Sequence, residues 1–234
     1  MRRSVHTLSI VGGVALAFTL LFAPSVLAQG SALQQKVAEL KQIMAKNQQS
    51  LAHYTWQQQE TVSVNGEVKK QALYQVQLGP DGKPVKVDLT QTQSSGGRPH
   101  GIKHRITERY EQYGQQVAAL AASYAQPDPG KLQQLYAQGN VALTSGGSPG
   151  LGALVITSYV KQGDSVTLTF SRAQKAMLAI HVASYLSGPS DVVTISAQFA
   201  KLPDGTSHVS TINVVGQSKN LTVQELNTNY QKRP

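Results

Sequence analysis

The sequence predicts an α+β protein: a strongly curved antiparallel β-sheet, a half-barrel-like meander, with two or three helices packed on its concave face. Three observations predict it. Apolar residues recur at every second position through most of the second half of the chain; short Gly, Pro, Asn and Asp clusters separate those runs at hairpin spacing; and stretches of helical period interrupt the alternation. Sequential hairpins place chain neighbours side by side, so about eight or nine strands are expected in one sheet.

Met1-Arg2-Arg3 is a positive start, Leu8 to Phe22 an apolar stretch, and Val26-Leu27-Ala28 a cleavage site. Residues 1–28 therefore read as a secretory signal peptide, and residues 29–234 as a single α+β domain with a helical insert near 101–139. The apolar run is interrupted by Gly12-Gly13, stops at Pro24 and falls short of the roughly 20 residues of a spanning helix, so no transmembrane segment is expected after cleavage. Ser-Val-His after the two arginines is a poor continuation for a twin-arginine signal, which favours general secretion and a periplasmic or secreted protein.

Ser31 can cap a helix whose apolar positions Leu33, Val37, Leu40, Met44 and Leu51 recur at helical spacing. From Tyr54 the period becomes two: Tyr54, Trp56, Gln58, Glu60, Val62 and Val64 share one face of a strand, and Asn65-Gly66 makes a tight hairpin because both residues tolerate positive φ. A second strand reaches Leu78, Pro80-Asp81-Gly82-Lys83 turns the chain, and Val85, Val87 and Leu89 alternate with Lys86, Asp88 and Thr90 on an edge strand. Residues 92–100 have neither period and read as a flexible loop.

Ile102, Ile106, Tyr110, Tyr113, Val117, Leu120 and Tyr124 form one stripe of a long helix that Pro127-Asp128-Pro129 ends. A short helix around Leu132, Leu135 and Tyr136 is closed by Gly139. Thr144 to Gly152 reads as a loop, followed by strands over Leu154 to Val160, Val166 to Phe170, Leu178 to Val182 and Val193 to Phe199. Turns at 162–164, 187–190, 203–205 and 216–218 join the later runs. A transmembrane barrel has no place for the helices, and its lipid face would not carry this much Thr, Ser and Gln.

Lys+Arg 21 against Asp+Glu 12 gives a net charge of +9, scattered along the chain with only 14% charged residues in all. The clusters Lys69-Lys70 and Lys103, His104, Arg105 and Arg109 could attract phosphates. Aromatic residues are not interleaved with them as a single-strand binder requires, so no nucleic-acid partner is expected.

No glycine-rich loop opens a helix after a strand, so no nucleotide is expected, and there is no cysteine to act as a nucleophile. Gly146-Gly147-Ser148-Pro149-Gly150 satisfies Gly-x-Ser-x-Gly, but it leads from a loop into a strand, and Pro149 lacks the N–H an oxyanion hole would use. His100, His104 and Glu108 stand four apart and could clasp a metal; Pro99 beside His100 and the charges of Lys103 and Arg105 oppose it. His53, His181 and His208 read as strand histidines. No catalytic residue, metal ligand or cofactor is therefore assigned. Glu60 falls on the inward face, where a carboxylate needs Arg, Lys or Tyr as partner; its convergence with a second acid would point to a hydrolase.

An export signal, an opening amphipathic helix, hairpin strands, a helical insert and a closing meander, over about residues 31 to 230, resemble the periplasmic outer-membrane lipoprotein carrier superfamily. The resemblance implies a half-open β-barrel lidded by helices, with a cavity that holds acyl chains. No residue corresponds to the carrier's acyl-releasing arginine. Tyr54-Thr55-Trp56-Gln57-Gln58-Gln59-Glu60, the run Gln198 to Thr206 and the ending Asn227-Thr228-Asn229-Tyr230 are similar to a group of uncharacterised exported bacterial proteins, which implies export and one compact domain.

The leading expectation is a non-enzymatic periplasmic protein that binds an amphiphile, a lipid or a lipid-anchored protein, in the hollow of the curved sheet. Tyr54, Trp56, Phe170, Ile180, Ile195 and Phe199 fall on the apolar face by parity and are the candidates to line that hollow. The same alternation fits a filled core, in which case the protein is a cell-envelope interaction module. A hydrolase acting through Ser148 or Glu60 is the third reading.

Overall fold

All six residues that parity assigns to one face of β1 (Tyr54–Val64) are buried, and the residues between them are not. The computed structural model describes residues 42, 45–90, 102–125 and 129–233. The predicted signal peptide, the predicted loop at 92–100 and most of the first predicted helix lie outside them; that helix is seen at its end as α1 (residues 45–51).

β1 turns at Asn65 (φ 53°) and Gly66 (φ 79°), as the dipeptide predicts, into β2 (Glu67–Leu78) and then β3 (Pro84–Asp88). Helices α2 (Ile102–Ala125) and α3 (Pro129–Ala137) follow, the second ended by Gly139 at φ 77°. The meander β4 (Val141–Ser145), β5 (Leu151–Thr157), β6 (Ser165–Ser171), β7 (Ala176–Tyr185), β8 (Val192–Lys201), β9 (Ser207–Gly216) and β10 (Leu221–Lys232) completes one open, curved antiparallel sheet. Its order is β3-β2-β1-β10-β9-β8-β7-β6-β5-β4. The sheet has ten strands rather than eight or nine, and β1 pairs with β10, so the two ends of the fold meet in its middle.

Two elements depart from the sequence reading. Val141–Ser145, short and largely exposed, has no inward apolar alternation to reveal it, yet it pairs with β5 as an edge. β5 itself runs three residues earlier than expected: Ser158 at φ 55° ends it, and Gly152 belongs to it because the Phe170 ring lies over that glycine. β3 is the other edge, but Val85 and Val87 point outward into solvent while Lys86, opposite Val76, points inward.

The concave face is covered by α2 and α3. Tyr113, Val117 and Leu120 of α2 and Leu132 and Leu135 of α3 are buried against Val62, Ile156, Leu168, Val182, Val193, Val214 and Val223. Burial of such side chains contributes about 1.5–3 kcal/mol each. Two tyrosines of α2 hold the helix to loops of the sheet. Tyr113 Oη donates to Asp191 Oδ1 at 3.1 Å, and Tyr124 Oη donates to Asp164 Oδ2 at 2.5 Å.

Gly216 is where Tyr113 comes closest. A Cβ there would lie 2.7 Å from both Cε1 and the hydroxyl oxygen of Tyr113. Gly216→Ala must move a buried ring whose hydroxyl is already bonded, so we expect a loss of about 1–3 kcal/mol in urea denaturation. An unchanged midpoint would mean the ring is not held there.

Candidate functional site on the concave face

The inward face of β1, β2 and β10 divides into an apolar cluster, a polar stripe and a second apolar cluster. Nearest α1, Trp56, Ala72, Tyr74, Val76 and Leu78 pack together with Leu51, Ala52 and Tyr230. Trp56 and Tyr230 stack with centroids 5.4 Å apart, and His208 lies 4.1 Å from Tyr230. Tyr230 reaches inward because Asn229, at φ 55°, stands where the β1–β10 register shifts. Burial lowers the His208 pKa. At the other end Val62, Val64, Leu221 and Val223 belong to the main core under α2 and α3.

Between these clusters strand pairing sets two polar rows. Tyr74, Gln58 and Asn227 face one another across β2, β1 and β10; Ala72, Glu60 and Glu225 form the next row. Directly opposed residues on one face of an antiparallel pair have Cβ atoms about 4.5–5.5 Å apart, so two carboxylates are pressed together out of water. Glu60 and Glu225 are each only 1% exposed.

Two lysines meet them. Lys70 Nζ donates to Glu60 Oε1 at 3.0 Å, the partner that an inward Glu60 requires. Lys86 Nζ stands 3.6 Å from Glu225 Oε1, an ion pair too long to be a hydrogen bond, and 5.4 Å above the Tyr74 ring. Gln58 Nε2 donates to Glu225 Oε2, and Asn227 Nδ2 donates to the carbonyl of Val209 at 3.0 Å. Burial pushes the Glu225 carboxyl up to about 7; Lys86 opposes this and Glu60 adds to it. Burial raises the Tyr74 phenol, helped by Glu60. Burial works against the Lys70 ammonium, but the Glu60 carboxylate outweighs it and holds its pKa up.

Gln58 Oε1, Glu60 Oε2, Tyr74 Oη, Glu225 Oε1 and Asn227 Oδ1 are buried with no hydrogen-bond partner among the described residues. Native proteins leave few such atoms, and each one costs about 1–3 kcal/mol. Here they gather in one stripe.

The structure distributes the six sequence candidates along the inward face. Trp56 belongs to the cluster beside α1, and Tyr54, also buried, donates its hydroxyl to Asp204 at 2.5 Å. Ile180 is in the main core, with Ile195 and Phe199 half-buried against it, and Phe170 covers Gly152. Sequence reasoning missed Glu225, Asn227 and Lys86. Strand alternation from Leu221 and Val223 would have pointed inward at Glu225, but hydropathy points to Leu226, which is exposed.

Glu60 thus does converge with a second acid. Each residue is 1% exposed and each faces a lysine, so the pair reads as part of a buried polar stripe. Ser148 lies in the exposed β4–β5 hairpin between Gly147 and Gly150, both at positive φ. His100 and the His104 side chain lie outside the described residues. Among the described residues no group of three His, Asp or Glu side chains is placed to hold a metal ion, and no helix is long and apolar enough to cross a membrane.

No protein-family model matches the chain, and no curated protein matches it. Among solved structures it is similar to a LolA superfamily protein from Nitrosomonas europaea, with 11% sequence identity and a TM-score of 0.41, over 83% of this chain and 94% of that one.

Proposed function

We propose that the protein is an exported, non-enzymatic module of the cell envelope that holds an amphiphilic, lipid-like molecule against the concave face of its sheet. One observation supports this reading above the others. The concave face is itself amphiphilic, with buried polar atoms that lack a hydrogen bond concentrated between two apolar clusters. A ligand with a polar end and a hydrocarbon chain satisfies the stripe and covers the adjoining apolar surface at once. The half-buried Ile195 and Phe199 are the residues the hydrocarbon would touch first, with Trp56 and Ile180 packed behind them and Tyr54 and Phe170 at the two ends of the face.

The test is uptake of a fluorescent acyl lipid from phospholipid vesicles, followed by separation of protein from vesicles. The label should move with the protein, and Phe199→Asp, at a half-buried position that a folded chain can hold, should lower uptake about tenfold or more. Label that stays with the vesicles sinks the reading. The alternative, a module that docks a protein partner, is favoured by the outer face, where Val85, Val87, Leu73 and Leu226 are exposed.

A further inference from the structure

The atoms of the stripe that accept or donate no hydrogen bond, Glu225 Oε1 among them with Lys86 facing it across 3.6 Å, share one chemical character. Gln58 donates its amide N–H to Glu225 and Asn227 donates its own to Val209, so the orientation of both amides is set and their oxygens are the unpartnered atoms. With Glu60 Oε2 and Glu225 Oε1, that makes four buried acceptor oxygens, two of them on carboxylates. While both carboxylates are ionised, only Tyr74 Oη could also donate. A phosphate or carboxylate brought here would meet further acceptors, and the two lysines that could receive it are already held by Glu60 and Glu225. A donor-rich cation would meet what it needs.

Resting on the amphiphile reading above, we propose that the polar end of the ligand is a primary ammonium group, received by Gln58 Oε1, Glu60 Oε2, Glu225 Oε1 and Asn227 Oδ1. Lys70 and Lys86 already place ammonium groups against the two carboxylates, so the chain is its own analogue of the bound state. Both lysines sit on flexible stems and are more open than the acids they serve, with side chains 37% and 13% exposed against 1%. As a ligand ammonium enters, a lysine swings out toward solvent, and no carboxylate is left buried without a cation. The hydrocarbon tail then runs past Trp56, two residues from Gln58 on the same face, toward the half-buried Ile195 and Phe199.

Trp56 is the chain's single tryptophan, two residues from Gln58 on one face of β1, so its emission reports on this site. The purified protein is titrated with dodecylammonium, dodecyltrimethylammonium and dodecanoate below their micelle-forming concentrations, with equilibrium dialysis as a second readout. The trimethyl compound keeps charge and chain but has no N–H to donate. Dodecylammonium should bind about tenfold or more tighter than either control, since hydrogen bonds involving a charged group contribute about 1.5–3 kcal/mol. The preference should fall to near unity in Glu60→Gln and in Asn227→Leu, each checked for folding by circular dichroism. Equal binding of all three probes, tighter dodecanoate, or a preference that survives both substitutions overturns the ammonium assignment and leaves the amphiphile reading standing. No binding of any probe overturns both.

Discussion

Asp164→Ala should be the most damaging single substitution outside the apolar core, lowering stability by about 4 kcal/mol or more in urea or thermal denaturation. The carboxylate is buried in the turn between β5 and β6. It accepts backbone N–H bonds from Tyr159 at 2.5 Å, Val160 at 2.8 Å and Lys161 at 2.7 Å, and the Tyr124 hydroxyl besides. Truncation leaves three backbone donors of the turn and a tyrosine of α2 without their acceptor. Because Tyr124 also bonds the Ser184 hydroxyl at 2.7 Å, the loss spreads to the seating of α2 on the sheet. Tyr124→Phe, which removes one bond and keeps the ring, should cost only about 1–2 kcal/mol. Burial first, and then the Asp164 carboxylate, raise the Tyr124 phenol, so it stays a neutral donor throughout the working range of pH. Equal effects of the two substitutions would show that the turn does not depend on its aspartate.

Glu225→Gln should do the opposite and stabilise the protein above neutral pH. The Glu225 carboxyl titrates at about 7 in the folded chain, against the ordinary 4.5 when exposed on unfolding. The folded state therefore binds the proton more tightly than the unfolded one, and stability falls as pH rises from about 4.5 through 7. Facing this carboxyl are Glu60 from β1, Lys70 and Tyr74 from β2, and Lys86 from β3. The glutamine resembles the protonated acid and cannot ionise. Denaturation midpoints should coincide with the native chain near pH 4 and lie higher by about 2–3 kcal/mol at pH 8. A variant less stable at pH 8 would mean that Lys86 keeps the carboxylate charged and net stabilising.

Much of this architecture is legible in local sequence. β1 alternates so regularly that its buried face, including the need of Glu60 for a cationic partner, follows from parity alone. Asn65-Gly66 and Gly139 act through positive φ, a requirement that residue type reveals. The stripe was not legible as a site because it depends on pairing Glu60 with Glu225, 165 positions apart, and nothing local specifies which strand closes against β1. Lys86 and Val87 exchange the sides that hydropathy would choose, since β3 takes its facing from the register with β2 and Lys86 has an inward acid to meet. Asp164 looked like any polar turn residue; only the folded turn turns its carboxylate inward. β4 was missed for the converse reason, since a short exposed edge carries little apolar pattern.

The claim that the concave face holds an amphiphile is tested most directly by native mass spectrometry with solvent extraction, on protein purified from its own cells without detergent. The account predicts a lipid-sized mass above that of the chain, released into the organic phase and absent from a folded Trp56→Glu variant. A bare chain mass that persists after incubation with membrane lipids would contradict it and shift the function to a protein-docking surface.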